Sequence, residues 1–183
     1  MTEREKILRR VALKCADFAR QISYHHALGD HANNFRQNFW IVMFNNAIDI
    51  AVLDWFHLFG YHNDDSHWKR VVQDVDSFRQ GLVQSLGMSE PEWTAYRESI
   101  KDYRDKDVAH IEVRPVSHVP DMAIALQAVA YYYTYLLTEL LHDSQYNAWP
   151  KDLKDYYQRS FAQTKPIVAS AYTATSKIEE KVW

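Results

Sequence analysis

Apolar residues recur every three or four positions over long stretches of this chain, which is the spacing of one face of an α-helix. In the first stretch they are Ile7, Leu8, Val11, Ala12, Cys15, Phe18, Ala19 and Ile22. Thr2 and Glu5 in front of them have the form of a capping box, and Gly29 behind them suits the residue that ends a helix. The pattern predicts a first helix that reaches Leu28.

Similar apolar patterns, together with capping residues, glycines and prolines at their ends, predict five further helices. Their expected ranges are 33–59, 66–86, 89–113, 121–142 and 151–164. The second is apolar on most sides and should be the most buried, and Pro166 should break or kink the last. No convincing strand is present. Long helices with short loops predict an all-α fold, an antiparallel bundle of about six helices, in one domain over residues 1–172 with a loosely ordered tail at 173–183.

The composition narrows the class of protein. A chain of 183 residues that is 47% hydrophobic can bury a core without disulfides or metals. Its 21 Lys and Arg against 24 Asp and Glu give a net charge of −3, which argues against indiscriminate binding of nucleic acid but leaves room for a local basic pocket. The single Cys15 excludes an intramolecular disulfide. With a charged start and no leader pattern, we expect a cytoplasmic protein.

Two segments are apolar enough to raise the question of a membrane, residues 38–59 and 122–141. Both carry polar groups, among them Asn45, Asp49 and Glu139. Such groups are costly inside hydrocarbon, so we expect buried core helices and no membrane partner.

The residues with the clearest chemical potential are Arg104 and His110. Arginine holds phosphate with a planar fork of donors, and histidine exchanges protons near neutral pH. On a straight helix, six residues turn the side chains roughly 120° apart and separate them by ~9 Å. They share a ligand only if the helix ends or distorts near His110, before Pro115, or if a second copy completes the site. The alternative is that Arg104 pairs with a nearby carboxylate such as Asp107, and that His110 packs at a helix end.

The segment from Arg104 to His110 resembles the motif of the HEPN superfamily, in which an arginine is followed by a polar residue, four further residues and a histidine. The local sequence RDKDVAH is similar to HEPN proteins of abortive-infection and toxin–antitoxin systems, with Asp105 as the polar residue. Residues 55–60 (WFHLFG) and 67–72 (HWKRVV) also resemble members of that group. The resemblance covers about residues 33–141.

The resemblance implies a metal-independent ribonuclease that needs no cofactor. His110 would deprotonate a ribose 2′-hydroxyl, Arg104 would hold the phosphate, and Asp105 would orient one of them. We also expect Lys106, His67 and Arg70 to bind the substrate.

Partners follow from the same resemblance. They would be RNA, a second copy of the chain in a homodimer, and a cognate antitoxin protein. Many proteins of this fold are inactive, so a non-catalytic module that binds RNA, nucleotide or a protein is the first alternative.

A metal-binding bundle is the second alternative. One candidate set lies around a polar loop and comprises His57, His62, Asp64, Asp65 and His67. Its spacing fits no standard motif, and a solvated turn in which Asp65 or Ser66 caps the third helix explains it equally well. A second set pairs Glu139 and His142 with Asp54 and His57. That set lacks the two further glutamates of a di-iron bundle, so we expect no metal.

Four tyrosines, at positions 131, 132, 133 and 135, form a stripe on the predicted fifth helix. Such rings can stack on bases, but more often they pack a bundle while their hydroxyls reach a polar partner. We expect them to pack in the core or at a dimer contact.

Overall fold

The computed structural model describes residues 1–60, 63–108, 119–140 and 146–180, and all regular elements within those ranges are helical. Seven α-helices lie in them: α1 (Glu3–Gly29), α2 (Asn38–Phe59), α3 (Trp68–Val71), α4 (Val75–Leu86), α5 (Glu90–Tyr103), α6 (Met122–Leu140) and α7 (Leu153–Thr175). A 3₁₀ turn (Ala32–Asn34) precedes α2, and a π-helical turn (Arg104–Val108) follows α5. The predicted all-α helical bundle is confirmed.

Helix α1 is the centre of the bundle and packs against α2, α6 and α7. The predicted capping box is present, because the Thr2 hydroxyl accepts from the Glu5 N–H while the Glu5 carboxylate accepts from the Thr2 N–H. Gly29 is the last residue of α1 and not a left-handed stop, so that detail of the prediction is wrong.

The core is rich in aromatic rings contributed by several helices. Trp55 of α2 is fully buried and meets the rings of Phe59 and Trp93. Tyr132 and Tyr133 of the tyrosine stripe are also fully buried, with their hydroxyls donated to backbone carbonyls. These two rings therefore pack the core, as the sequence predicts.

The predicted third helix is two helices, α3 and α4. The Nδ1 atom of His67 accepts from the Lys69 N–H and caps α3, so neither Asp65 nor Ser66 is the cap. The Asp74 carboxylate accepts from the Ser77 N–H and starts a new helix, which interrupts the predicted one. Helix α4 ends as predicted before Gly87, whose φ of 65° is left-handed.

Helix α2 begins at Asn38, later than predicted, and it is not the most buried element. Phe39, Val42, Met43, Ile50 and Leu53 are all at least 40% exposed. By length and composition alone, α2 is also the one helix within the described ranges that is able to cross a membrane, a property shared with core helices of soluble proteins.

Helix α7 runs through Pro166 to Thr175, so the predicted end at residue 164 and a break at Pro166 are wrong. The alternative of a kink at Pro166 stays a prediction. Pro166 is on an exposed face, while Val168 beyond it is buried and holds the helix to the bundle. The Gln37 side chain donates to the carbonyls of Thr175 and Ile178. The loosely ordered tail at 173–183 stays a prediction.

Candidate functional site

The site predicted around Arg104 lies where helix α5 changes its winding. The α-helix ends at Tyr103, and the π-helical turn covers Arg104–Val108. The regular α-helical winding therefore stops at Tyr103, while the predicted end of this helix near Val113 lies outside the described residues. A distortion beside the motif is what a joint site of Arg104 and His110 requires. His110 itself lies outside the described residues, and its position relative to Arg104 stays a prediction.

The guanidinium of Arg104 is held between a ring and a carboxylate. Its Cζ atom lies 4.0 Å from the centre of the Phe56 ring of α2. Its Nη2 atom lies 2.7 Å from Oδ1 of Asp105, and the side chain is 18% exposed. A planar cation favours both contacts, since the ring face is electron-rich and the carboxylate matches its donors. Asp105 therefore touches Arg104, as an orienting residue would.

A half-buried carboxylate lies next to this turn. The Tyr103 hydroxyl donates to Oδ1 of Asp49 on α2 at 3.2 Å. Burial raises the pKa of Asp49, the hydrogen bond from Tyr103 partly offsets this, and the nearby charge of Asp107 raises the pKa further. Burial also raises the pKa of Tyr103. The contact fixes the end of α5 to the middle of α2.

A row of cations on α5 leads to Arg104, and sequence reasoning did not single it out. Arg97, Lys101 and Arg104 are four and then three residues apart, which is the spacing of one helix face. Arg97 donates to the carbonyl of Phe59 at 3.1 Å and anchors α5 to the end of α2. The signal that would have revealed the row is this spacing.

A fourth cation, Lys69, lies within electrostatic reach of the row. Burial lowers the pKa of Lys69, and repulsion from Arg97 and Arg79 lowers it further. Cations gathered in this way favour a bound anion, which relieves their repulsion. We call Lys69, Arg97, Lys101 and Arg104 the cation row.

A small cavity of about 190 Å³ lies along the cation row, between the end of α2 and α5. It is lined by Trp55, Phe56, Phe59, Gly60, Arg97, Glu98 and Lys101. This volume is below the ~300 Å³ at which small-molecule sites begin. This cavity, which we call the notch, therefore suits one group of a longer ligand rather than a whole ligand.

The predicted substrate-binding residues are not all at this site. Lys106 lies in the π-helical turn and pairs with Asp102 at 2.5 Å on the surface. His67 is fully buried, so its prediction as a surface contact for RNA is wrong. Arg70 is exposed, but it lines a different cavity of about 630 Å³ together with Arg10.

Several residues of the two candidate metal sets form ion pairs or hydrogen bonds with protein side chains. Asp54 pairs with Lys14 at 2.7 Å, and Glu139 accepts from Arg4 at 2.7 and 3.1 Å. His57 contacts Asp64, whose pKa is lowered because hydrogen bonds from Ser66 and His57 outweigh the opposing effect of burial.

His62 and His142 lie outside the described residues. Within the described ranges, no three His, Cys, Asp or Glu side chains are placed to hold a metal ion. The metal-binding alternative therefore has no support from this part of the chain.

Comparisons with known protein families, with curated proteins and with solved structures found no match to this chain.

Proposed function

We propose that this protein is a HEPN-like endoribonuclease that cleaves RNA without a metal ion or other cofactor. The observation that carries the proposal is the change from α-helical to π-helical winding at Arg104, the first residue of the motif. Single π turns inside helices are frequently found at functional sites. A regular helix would point Arg104 and His110 apart, so one chain supplies both residues only if the helix ends or distorts between Arg104 and His110.

The chemistry follows from the two side chains. His110 takes the proton of a ribose 2′-hydroxyl, and the 2′-oxygen attacks the adjacent phosphorus. The bond from phosphorus to the 5′-oxygen breaks, and this oxygen takes a proton from water and leaves as a 5′-hydroxyl, while His110 later returns its proton to the solvent. The other product carries a 2′,3′-cyclic phosphate. Arg104, oriented by Asp105, stabilises the charge that develops on the phosphate oxygens.

The cation row extends this site along α5. Phosphates that flank the scissile bond would contact Lys101 and Lys69, while the small notch beside Arg97 takes a group of the strand. Lys106, two residues after Arg104, is on the same π-helical turn and would add positive charge there. The need for a 2′-hydroxyl restricts the substrate to RNA.

A role in a toxin–antitoxin or phage-defence system, with a cognate antitoxin, rests on the resemblance alone. The cytoplasmic location is the expectation from the single cysteine. The homodimer expected from the same resemblance is part of this proposal.

A second candidate function is a non-catalytic HEPN-like module that binds RNA, nucleotide or a protein. The pairing of Arg104 with Asp105 at 2.7 Å favours it, because a guanidinium already held by a carboxylate can serve the fold alone.

RNA cleavage in the presence of EDTA distinguishes the two functions. We expect the wild-type protein to cut single-stranded RNA and to leave 2′,3′-cyclic phosphate ends, while DNA and 2′-O-methyl RNA of the same sequence stay intact. His110→Ala should lose about 10²–10⁴-fold in rate, the usual contribution of a general base, with an unchanged circular dichroism spectrum. Arg104→Ala should lose activity as well.

The matched control is His31→Ala, a histidine that packs on Tyr172 near the end of α7. It should cut RNA at the wild-type rate. The ribonuclease proposal fails if purified wild-type protein leaves varied RNAs intact, or if the His110 variant cuts equally well. Binding of RNA without cleavage, unchanged in His110→Ala, would establish the binding module instead.

A further inference from the structure

Six exposed positions on α2 follow the alternating four-residue and three-residue spacing of a coiled-coil contact. They are Phe39, Met43, Asn46, Ile50, Leu53 and His57, and we call them the α2 seam. Its apolar members are far from covered, since Phe39 is 57% exposed, Met43 44%, Ile50 43% and Leu53 40%. An apolar heptad pattern that faces solvent in an isolated chain indicates a helical partner.

The seam continues into a groove beside helix α7. Phe39, Met43 and Ile50 line a largely apolar cavity of about 540 Å³, whose opposite wall includes Ile167 and Val168. Ile167 is 67% exposed, although it is a large apolar side chain. Two neighbouring helices, α2 and α7, therefore present one apolar surface.

The size of this surface is that of a protein contact. The exposed apolar residues of the seam amount to roughly 350 Å². This is in the range of the largest patch on a monomeric protein, which is often functional. A stable complex buries about 800 Å² on each partner, including a polar rim. The seam, Ile167 and the polar residues around them supply an area of that order.

A membrane is a poor occupant for this surface. Helices that lie on membranes carry Lys or Arg beside their apolar face. Helix α2 has neither residue between Asn38 and Phe59. Insertion would also remove the amide of Asn46 from water at the middle of the apolar face, at a cost that no lipid chain offsets.

We propose that the α2 seam is the contact between two copies of this chain. Asn46 is the middle one of the five seam residues from Phe39 to Leu53, and His57 extends the seam beyond Leu53. Its amide both donates and accepts, so two copies of it pair across a two-fold axis. A single asparagine in an apolar heptad contact fixes the register of the two helices. The seam thus matches itself in apolar character and at Asn46.

The seam also borders the site around Arg104. Its last residue, His57, follows Phe56, on whose ring the Arg104 guanidinium rests. Asp49, which accepts from Tyr103, precedes Ile50 of the seam. A second copy bound to the seam would therefore cover the surface of α2 beside the π-helical turn. A homodimer is also part of the proposed function, but the seam is tested by association and not by activity, so the failure of either proposal can be told from the failure of the other.

Sedimentation equilibrium of the full chain over a wide range of concentration tests the proposal. We expect a dimer for the wild type. Leu53→Glu and Ile50→Glu should each raise the dimer dissociation constant at least ~100-fold, since every dimer would bury two unpaired carboxylates. Both positions are exposed in the single chain, so circular dichroism and thermal melting of the monomer should be unchanged. The matched control is Leu13→Glu on α1, where Leu13 is 47% exposed, and it should stay dimeric.

A cysteine at the centre of the seam gives a second measurement. Asn46→Cys should form an intermolecular disulfide under mild oxidation whether the two α2 helices run parallel or antiparallel, because it is the middle residue. Leu13→Cys should not, and the native Cys15 is buried. A wild type that is monomeric throughout overturns the proposal, as does a Leu53→Glu variant that stays dimeric. Monomeric wild type that co-sediments with vesicles of phosphatidylcholine and phosphatidylglycerol would assign the seam to a membrane surface instead.

Discussion

The guanidinium carbon of Arg104 lies 4.0 Å from the centre of the Phe56 ring. The contact joins the π-helical turn after α5 to the end of α2, and it holds the arginine flat against a fixed surface. A side chain with about 2 kcal/mol of rotamer entropy is thereby ordered before any phosphate arrives. In the proposed ribonuclease this order is part of the catalytic apparatus.

Phe56→Leu should therefore impair cleavage while leaving both motif residues in place. Leucine fills most of the space but offers no ring face, so the cation–π contact worth about 0.5–2 kcal/mol is lost. If that energy holds the arginine for the transition state, kcat/KM for RNA falls about 2- to 30-fold. The matched control is Phe78→Leu, a buried ring of α4, which should lower stability without lowering activity per folded molecule. Equal losses of activity in the two variants would contradict a specific role for the stacking.

The cation row should be visible in the salt dependence of RNA binding. Each cation that neutralises a phosphate of single-stranded RNA contributes about 0.7 to the slope of log K against log salt. Lys101→Ala and Lys69→Ala, made in a His110→Ala background to prevent cleavage, should each flatten the slope by roughly that amount. Lys154→Ala, at the exposed start of α7, should leave it unchanged. Fluorescence anisotropy over a salt series provides the measurement. A slope that is the same in the His110→Ala protein and in the two lysine variants would show that the cation row does not bind RNA.

The pH dependence of stability should report on Asp49. Burial raises the pKa of this carboxyl in the folded protein, despite the hydrogen bond from Tyr103. A group with a raised folded pKa contributes stability below its unfolded pKa, and the contribution disappears as the pH rises through the folded value. Asp49→Asn should therefore raise the urea midpoint of unfolding at neutral pH. It should also weaken the decrease of this midpoint as the pH rises above the ordinary pKa of an aspartate.

Tyr103→Phe supplies the opposite change for the same measurement. Without the donated hydrogen bond, the pKa of Asp49 rises further, so stability should fall more steeply between acidic and neutral pH. Identical pH profiles for wild type, Asp49→Asn and Tyr103→Phe would show that Asp49 is not the titrating group.

The elements that the sequence predicts well are those set by adjacent residues. Thr2 and Glu5 cap α1, and Gly87 ends α4, because each signal acts within one helical turn. The all-α class follows from the same periodicity. The helix boundaries that the sequence misplaces are those set by contacts with residues far away in the chain. Helix α7, for example, continues past Pro166, and Val168 beyond it is buried against the bundle.

The candidate site is less accessible to sequence reasoning for the same reason. The π-helical turn at Arg104 coincides with contacts to Phe56 and Asp49, both on another helix and far away in sequence. The burial of His67 is equally non-local, since its neighbours in sequence form a polar loop. Periodicity also cannot distinguish an apolar face that the chain itself covers from one it leaves open, as on α2.

Gly81 in the middle of α4 offers a test of packing that is independent of function. Glycine costs a helix interior about 1 kcal/mol relative to alanine, so its presence calls for a reason. A Cβ atom at this position would overlap the Tyr131 hydroxyl of α6 and lie 3.1 Å from its Cζ atom. Gly81→Ala should therefore lower the free energy of unfolding by about 1–3 kcal/mol, because overpacking outweighs the gain in helix propensity.

Removing the hydroxyl should relieve much of that cost. In a Tyr131→Phe background, Gly81→Ala should be at least ~1 kcal/mol less damaging than in the wild type, a coupling expected for residues in contact. Gly87→Ala is the control, since its φ of 65° penalises any side chain and has no link to Tyr131. It should cost about 1–2 kcal/mol in both backgrounds. Urea denaturation of the single and double variants measures the cycle, and an equal cost of Gly81→Ala in both backgrounds would show that the Tyr131 hydroxyl is not what excludes a side chain from α4.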